Sequence, residues 1–310
     1  MRNVRCELLR AAFYGFGALV FVIVAAGCED ALWEMGSERV KTIPIVKEGA
    51  EVEKLAGGFQ FTEGPAADIE GNVYFTDIPN NRIHKWSVDG KVSVYKTDTG
   101  GANGLFFAED GDLLACSGGR GVVVRIDKDK DVYVLADKFR GKKFNSPNDL
   151  WIDPQGGVYF TDPRYGGREN LPQSCEGVYY IRQSGEVVRV VDDMVRPNGV
   201  IGTANGKKLY VTDHGGGKTW VCDIKRDGTL KNKKLFVERG SDGMTIDEDG
   251  NIYLTTDAVE VFNDKGEFVE RIEVPERPAN VCFGGRDRKT LFITARTGLY
   301  SIKMRVKGIY

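Results

Sequence analysis

Six short polar side chains recur along the chain at similar spacing, and their types suggest a shared chemistry. They are Glu63, Asn103, Asn148, Asn198, Asp242 and Asn280. Two carboxylates and several amide oxygens that converged on one point would form a hard oxygen donor set, which suits Ca²⁺ and, less well, Mg²⁺. The competing interpretation is that Asn-Gly and Asp-Gly recur only because they form turns. The choice between them depends on whether the fold brings the six positions together.

The elements around these residues repeat with the same period. Each copy has a short strand, a turn rich in Asp and Gly, and an alternating strand; the copies at 63–77 and 148–162 both end in Val-Tyr-Phe-Thr-Asp. Two more strands follow in each copy, as at 82–86 and 91–95. Six units of four strands predict an all-β, six-bladed β-propeller around a central channel. The last unit lacks a fourth strand, which we expect residues 51–55 to supply, closing the ring.

This fold would place the repeat starts near the axis at one end of the channel, because the first strand of a blade lines it. The loops that follow each Thr-Asp should then rim the same mouth. Arg164, Tyr165 and His214 lie in such loops and are candidates for substrate contact, and Asn103 is assigned to substrate binding with them. The structural alternatives are an ion pair with an acid for Arg164, simple packing for Tyr165 and a bond to a backbone carbonyl for His214.

Four of the repeat starts lie in motifs that resemble a known family. Thr62-Glu63-Gly64-Pro65, Pro147-Asn148-Asp149-Leu150, Arg196-Pro197-Asn198-Gly199 and Ser241-Asp242-Gly243-Met244 are similar to the metal-binding motifs of the gluconolactonase and senescence-marker-protein (regucalcin) family. The resemblance covers residues 51–304. It implies a six-bladed propeller that binds one divalent cation, usually Ca²⁺, through Glu63, Asn148, Asn198 and Asp242. It also implies lactone hydrolysis with Asp242 as the suspected base.

The chemistry implied is metal-assisted hydrolysis of a cyclic ester, most simply a sugar (aldono)lactone. A hard cation would polarise the carbonyl while Asp242 takes a proton from the attacking water; Mg²⁺, Mn²⁺ or Zn²⁺ are alternatives to Ca²⁺. A serine hydrolase is disfavoured because no Gly-x-Ser-x-Gly motif occurs and the chain has only 2 histidines. The remaining alternatives are a non-catalytic, metal-stabilised propeller that binds a ligand or protein, and a phosphotriesterase-like hydrolase.

The N-terminus has the pattern of an export signal. Arg2, Arg5 and Arg10 precede an apolar run over residues 11–27 that is short for a membrane span. The run ends in Ala-Ala-Gly-Cys28, which resembles a bacterial lipobox. The sequence therefore predicts a signal peptide at 1–27, lipidation of Cys28, a linker at 28–50 and a propeller at 51–310. We expect a periplasmic or cell-surface lipoprotein; an uncleaved or simply secreted N-terminus, or a different start codon, are the alternatives.

The amino-acid composition limits the classes of partner that the chain is expected to bind. The formal net charge is -2, so the chain has no excess of basic residues to neutralise nucleic-acid phosphates. A nucleic-acid partner is therefore not expected, and membrane contact is expected only through the lipid anchor. The sequence contains no Cys-x-x-Cys pair, so the cysteine spacing does not indicate a zinc site. Cys116, Cys175, Cys222 and Cys282 could form disulfides or remain free thiols in the core.

Overall fold

The computed structural model describes residues 44–310, and this part of the chain consists of β-strands joined by turns and loops. The strands form six four-stranded antiparallel sheets and one two-stranded hairpin. The six sheets are the blades of the expected all-β propeller, so the fold prediction is confirmed. The predicted signal peptide, Cys28 and most of the predicted linker lie outside the described residues. Among residues 44–310 there is no helix long and apolar enough to cross a membrane.

Each blade follows one pattern, from an inner strand at the axis to an outer strand at the rim. The inner strands are β2 (Thr62–Ala67), β6 (Ala102–Phe107), β12 (Leu150–Ile152), β16 (Pro197–Gly202), β20 (Met244–Ile246) and β24 (Pro278–Gly284). The second strands are β3 (Val73–Asp77), β7 (Leu113–Ser117), β13 (Val158–Asp162), β17 (Lys208–Asp213), β21 (Ile252–Thr255) and β25 (Thr290–Ala295). The third strands are β4 (Arg82–Trp86), β8 (Val122–Ile126), β14 (Gly177–Ile181), β18 (Lys218–Ile224), β22 (Val259–Phe262) and β26 (Gly298–Lys303).

The outer strands are β5 (Val92–Thr97), β9 (Val132–Ala136), β15 (Val187–Val191), β19 (Leu230–Val237), β23 (Phe268–Ile272) and, for blade six, β1 (Glu53–Gly57). The hairpin formed by β10 (Lys138–Phe139) and β11 (Lys142–Lys143) lies between blades two and three. β1 pairs antiparallel with β26, so the strand before the first repeat closes the ring as the sequence predicts. Ile45 is buried in the core of blade six, so the packing extends beyond β1.

The recurring Thr-Asp has a structural explanation. The threonine at the end of a second strand donates its hydroxyl to the backbone of the next blade: Thr76 Oγ1 to Asn103 O at 3.1 Å and Thr161 Oγ1 to Asn198 O at 2.7 Å. The aspartate accepts backbone N–H groups from the loop entering its own inner strand, as Asp162 does from Asn145 and Ser146 at 2.9 and 2.7 Å. Because buried polar groups must be satisfied, this pair holds the blades together and fixes the loops around the mouth.

The four cysteines of the propeller are free thiols, and three of them are buried. The structure therefore agrees with free thiols and not with disulfides at these positions. His84, the other histidine, is buried and stacks on Phe75 with ring centroids 5.4 Å apart, away from the channel mouth.

Candidate active site at the channel mouth

The strand register arranges the axial residues in two layers. The upper layer contains Glu63, Asn103, Asn148, Asn198 and Asp242, as expected, but its sixth member is Ala279. Backbone hydrogen bonds run from blade to blade below this layer: Gly199 N to Asp242 O and Gly243 N to Ala279 O, both at 2.8 Å. The alignment of Asn280 with the other five was therefore wrong by one residue. The Arg-Pro pairs at 196–197 and 277–278 give the correct alignment, because they place Ala279 opposite Asn198 and Asn280 opposite Gly199.

The lower layer is closed by two polar side chains from opposite blades. Four of its positions are glycines: Gly64, Gly104, Gly199 and Gly243. Asp149 and Asn280 occupy the other two. A Cβ on Gly104 would lie 2.4 Å from Asp149 Oδ1, and one on Gly243 would lie 2.0 Å from Asn280 Oδ1. The glycines therefore leave the space that these two side chains fill.

Asp149 is the site residue that sequence reasoning missed. It stands directly after Asn148, at the position where each of the other three family-like motifs has glycine. That contrast was the signal available in the sequence. The carboxyl is buried, which raises its pKa to about 7 against the opposing effects of the hydrogen bond from Leu150 N at 2.9 Å, the Val200 backbone and the Asn280 amide. A buried carboxyl without a basic partner here adds to the oxygen donors at the axis.

Above this layer, Asn198 and Asp242 are joined to two of the loop residues. Asn198 Nδ2 lies 2.5 Å from Asp242 Oδ1 and 2.5 Å from the Tyr165 hydroxyl. Tyr165 Oη is 2.9 Å from His214 Nδ1, which is itself 4.0 Å from Asp242 Oδ1. The structure thus brings Tyr165 and His214, from blades three and four, to the same mouth as Asp242 from blade five.

The carboxyls at the axis carry strongly perturbed pKa values. Burial raises the pKa of Glu63 well above its usual range, and the nearby Asp242 carboxyl raises it further. Burial also raises the pKa of Asp242, against the opposing effects of His214, Asn198, Arg277 and Arg296. Like charges held together without a cation disfavour ionisation, and such perturbed groups cluster at functional sites.

The donor set fits a hard divalent cation when the amides are included. Within residues 44–310, no three carboxylate, imidazole or thiolate groups converge closely enough to hold a metal ion by themselves. Asn198 Oδ1 and Asn103 Oδ1 are, however, buried without a hydrogen-bond partner. Rotating the Asn198 amide would exchange its oxygen with the nitrogen beside Asp242, because the two ends of an amide have nearly the same shape. Carboxylate and amide oxygens together are typical ligands of Ca²⁺.

The remaining candidates are less closely connected to this cluster. Asn148 is buried in the upper layer, where its backbone carbonyl accepts a hydrogen bond from Gly104 N at 2.7 Å. Arg164 donates through Nη1 to Asn145 O at 2.8 Å and through Nε to Gly167 O at 3.2 Å. The structural alternative for Arg164 was an ion pair with Asp162 or another acid; the side chain instead makes these bonds to backbone carbonyls, which hold its loop beside the mouth.

The channel also opens at the opposite face, through a cavity of about 1650 Å³. Its lining includes turns between first and second strands, such as Asp68–Glu70 and Asp153–Gly156, and it reaches inward to Asp149 and Asn280. Those turns lie at the far end of the inner strands from Glu63 and Asp242. The lower layer therefore lies between this cavity and the mouth.

Comparison with known proteins identifies the family and agrees with the propeller fold. Residues 61–297 match the family model described as SMP-30/Gluconolactonase/LRE-like region. The gluconolactonase of Zymomonas mobilis is 30% identical over 300 residues, which cover 85% of this chain and 84% of that protein. The X-ray structure of a putative gluconolactonase is 32% identical with a TM-score of 0.80, covering 86% of this chain and 96% of that one. A gluconolactonase structure from Xanthomonas campestris is 26% identical with a TM-score of 0.77, covering 84% and 94%.

Proposed function

This chain belongs to the SMP-30/gluconolactonase/LRE-like family, and we propose that it is a lactonase that hydrolyses the cyclic ester of a sugar acid with the help of a bound divalent cation, most simply Ca²⁺. The observation that carries the proposal is the arrangement of Asp242, which lies beside Asn198 and 4.0 Å from His214 at an open mouth. Similarity to named gluconolactonases supports the reaction class.

The residues divide the work as follows. A cation bound by Glu63, Asn148, Asn198 and Asp242 would polarise the lactone carbonyl. Asp242 accepts a proton from the water whose oxygen attacks the carbonyl carbon. The bond between that carbon and the ring oxygen then breaks, and the ring oxygen takes the proton held by Asp242 to become the hydroxyl of the product acid. His214 and Tyr165, linked at 2.9 Å, face this position, and we assign them with Asn103 and Arg164 to substrate contact.

A hydrolysis screen tests the reaction class. Purified full-length protein would be assayed with sugar lactones, aliphatic lactones and phosphotriesters, each with added Ca²⁺ and with a chelator. We expect sugar lactones to be hydrolysed best and the chelator to abolish turnover. Hydrolysis of phosphotriesters alone would favour the rival hydrolase, and no turnover of any substrate would favour a binding protein. Full activity in the chelator would contradict the role of the cation.

We further propose that the protein is exported and anchored through a lipid on Cys28. The support is the basic start followed by the apolar run that ends at this cysteine. Wild-type protein should fractionate with membranes, and Cys28→Ser should release it or block its processing. Wild-type protein found wholly in the cytosol would contradict export.

A further inference from the structure

Three arginines occupy related positions around the mouth. Arg196 precedes Pro197 in blade four, and Arg277 precedes Pro278 in blade six. Pro197 pairs with Asp213 and Pro278 pairs with Ala295, so the two arginines are equivalent residues of their blades. The next residues after Asp213 and Ala295 are His214 and Arg296, which are therefore equivalent as well. Blades four and six flank blade five, which carries Asp242.

These guanidinium groups have no carboxylate partner in the described part of the chain. Arg196 lies over the Tyr165 ring at 5.0 Å, and its Nε is buried without a hydrogen bond. Arg277 Nε donates only to the backbone carbonyl of Thr256 at 3.2 Å, and Arg296 lies over the Phe61 ring at 5.7 Å. Some other arginines of blades four to six are paired, as Arg271 is with Asp257 at 3.0 Å, whereas Arg226 and Arg288 are not among the ion pairs of the described residues.

Two acids close to Arg277 are already engaged: its neighbour Glu276, and Asp257, which follows Thr256. Glu276 binds Lys54 Nζ at 3.0 Å and the Tyr300 hydroxyl at 2.6 Å, and Asp257 is held by Arg271. The arginines nevertheless lie close to the candidate active site. Arg277 bonds to Thr256, and the preceding residue, Thr255, accepts the backbone N–H of Asp242 at 3.1 Å. The backbone carbonyl of Arg296 accepts the N–H of Thr62, which precedes Glu63, at 2.8 Å. The backbone segments that carry Arg277 and Arg296 therefore lie next to those that carry Asp242 and Glu63.

We infer that the preferred substrate is an anionic lactone, which carries a carboxylate or phosphate on the part of the sugar away from the ester; this inference rests on the proposed lactonase function. Guanidinium groups recognise these two anions through paired N–H donors. Arg277 and Arg296 are exposed and Arg196 is half-buried, so water solvates them beside a neutral lactone, whereas an anion reaching over the mouth could accept their N–H groups directly. A carboxylate and a phosphate both carry negative charge, and the experiment below distinguishes the two groups.

The test compares glucono-1,5-lactone, its 6-phosphate and the corresponding lactone with a 6-carboxylate, with uncatalysed hydrolysis subtracted. We expect kcat/KM for at least one anionic lactone to exceed that of the neutral lactone by about tenfold or more, within the range that charge focusing gives in clefts. The advantage should shrink as ionic strength rises. Equal kcat/KM values for all three substrates, or a preference for the neutral lactone, would overturn the inference and leave the lactonase function standing. No hydrolysis of any of them would instead contradict the lactonase function.

Variants connect the preference to the arginines. Arg277→Gln and Arg296→Gln should each lower the anionic-to-neutral ratio of kcat/KM toward one, while Arg277→Lys and Arg296→Lys, which keep the charge, should retain most of it. Arg286→Gln is the matched control, because Arg286 is an exposed arginine of blade six in the turn between β24 and β25, at the other face. An anionic preference that survives the combination of Arg196→Gln, Arg277→Gln and Arg296→Gln would overturn the assignment to these residues.

Discussion

Asn198 Nδ2 lies 2.5 Å from Asp242 Oδ1, joining two neighbouring blades at the channel mouth. Both residues are fixed by their backbones: Thr161 Oγ1 donates to Asn198 O at 2.7 Å, and Gly199 N donates to Asp242 O at 2.8 Å. The carboxylate proposed to act as base is therefore positioned by a side chain from blade four and by hydrogen bonds across the blade boundary. The amide that contacts it can offer its oxygen to a cation after rotation, so one pair serves both proposed roles.

Asp242→Asn separates those roles. The variant keeps an oxygen for a cation but cannot accept a proton from water, so we expect kcat to fall by about 10² to 10⁴, the range for loss of a general base. Steady-state hydrolysis of the best lactone under saturating Ca²⁺ is the measurement. A wild-type rate would mean that Asp242 is only a ligand, and His214 would become the next candidate for the base.

Glu63→Gln should fail in a different way. Glu63 is fully buried, and its Oε2 accepts the backbone N–H of Gly64 at 2.7 Å, so its carboxylate is fixed beside the axis and away from solvent. We expect the variant to weaken Ca²⁺ binding first and to recover part of its activity in excess Ca²⁺. Activity titrated against Ca²⁺ should show a shifted midpoint. An unshifted midpoint would remove Glu63 from the proposed ligand set.

The sequence predicted the fold almost completely because a repeat fixes its own geometry. Six copies of one pattern give six blades, and the strand left over before the first copy, β1, had to pair with β26. The convergence of Glu63, Asn198 and Asp242 follows from the same logic, since equivalent residues of a ring meet at its axis. The same reasoning placed Tyr165 and His214 at the rim.

The sequence did not reveal how the channel is closed beneath the mouth. Asn280 lies one layer deeper than the repeat alignment placed it, because Ala279 is the residue equivalent to Asp242. Asp149 was not recognised because its role depends on glycines in other blades, such as Gly104, leaving room for it. The role of Asp149 depends on a contact between blades, whereas a repeat alignment describes each blade alone.

Divalent cations should stabilise the folded protein. The Asp242 carboxyl raises the pKa of Glu63 at the axis, because two negative charges there repel each other. A bound cation would relieve that repulsion. At a Ca²⁺ concentration a hundredfold above the dissociation constant, linkage gives about 2.7 kcal/mol, seen as a higher Tm. Glu63→Gln should reduce the increase. No thermal response to Ca²⁺, Mg²⁺, Mn²⁺ or Zn²⁺ would contradict a metal site.

Glu276 should make ring closure dependent on pH. Burial opposes its ionisation, but hydrogen bonds from Tyr300, Thr297 and Lys54 outweigh that effect and lower its pKa to about 2 from 4.5. A lowered carboxyl pKa stabilises the fold above the unfolded-state pKa, and the contribution is lost as pH falls from about 4.5 to about 2. Glu276→Gln should therefore cost roughly 1–3 kcal/mol at pH 7, with a smaller difference from wild type in acid.

Denaturant unfolding of wild type and Glu276→Gln at several pH values measures this effect. Glu48→Gln is the control, because Glu48 is 93% exposed and lies 3.7 Å from Arg305, and an exposed pair contributes only about 0–1 kcal/mol. A difference between Glu276→Gln and wild type that did not change with pH would show that the lowered pKa of Glu276 plays no part in closing the ring.

Gly243→Ala tests the layer beneath the mouth. The added Cβ would lie 2.0 Å from Cγ and Oδ1 of Asn280, so the Asn280 side chain must move away from Glu63 and Asp149. We expect a loss of roughly 1–3 kcal/mol of unfolding free energy, the usual cost of overpacking, together with weaker Ca²⁺ binding. Gly167→Ala is the control, because nothing lies within 4 Å of its Cβ position and a surface change of this kind costs about 0.5 kcal/mol or less. Adding Asn280→Ala to Gly243→Ala removes the clash, so the two substitutions together should destabilise less than the sum of their separate effects. Additive effects would mean that Gly243 does not act through Asn280.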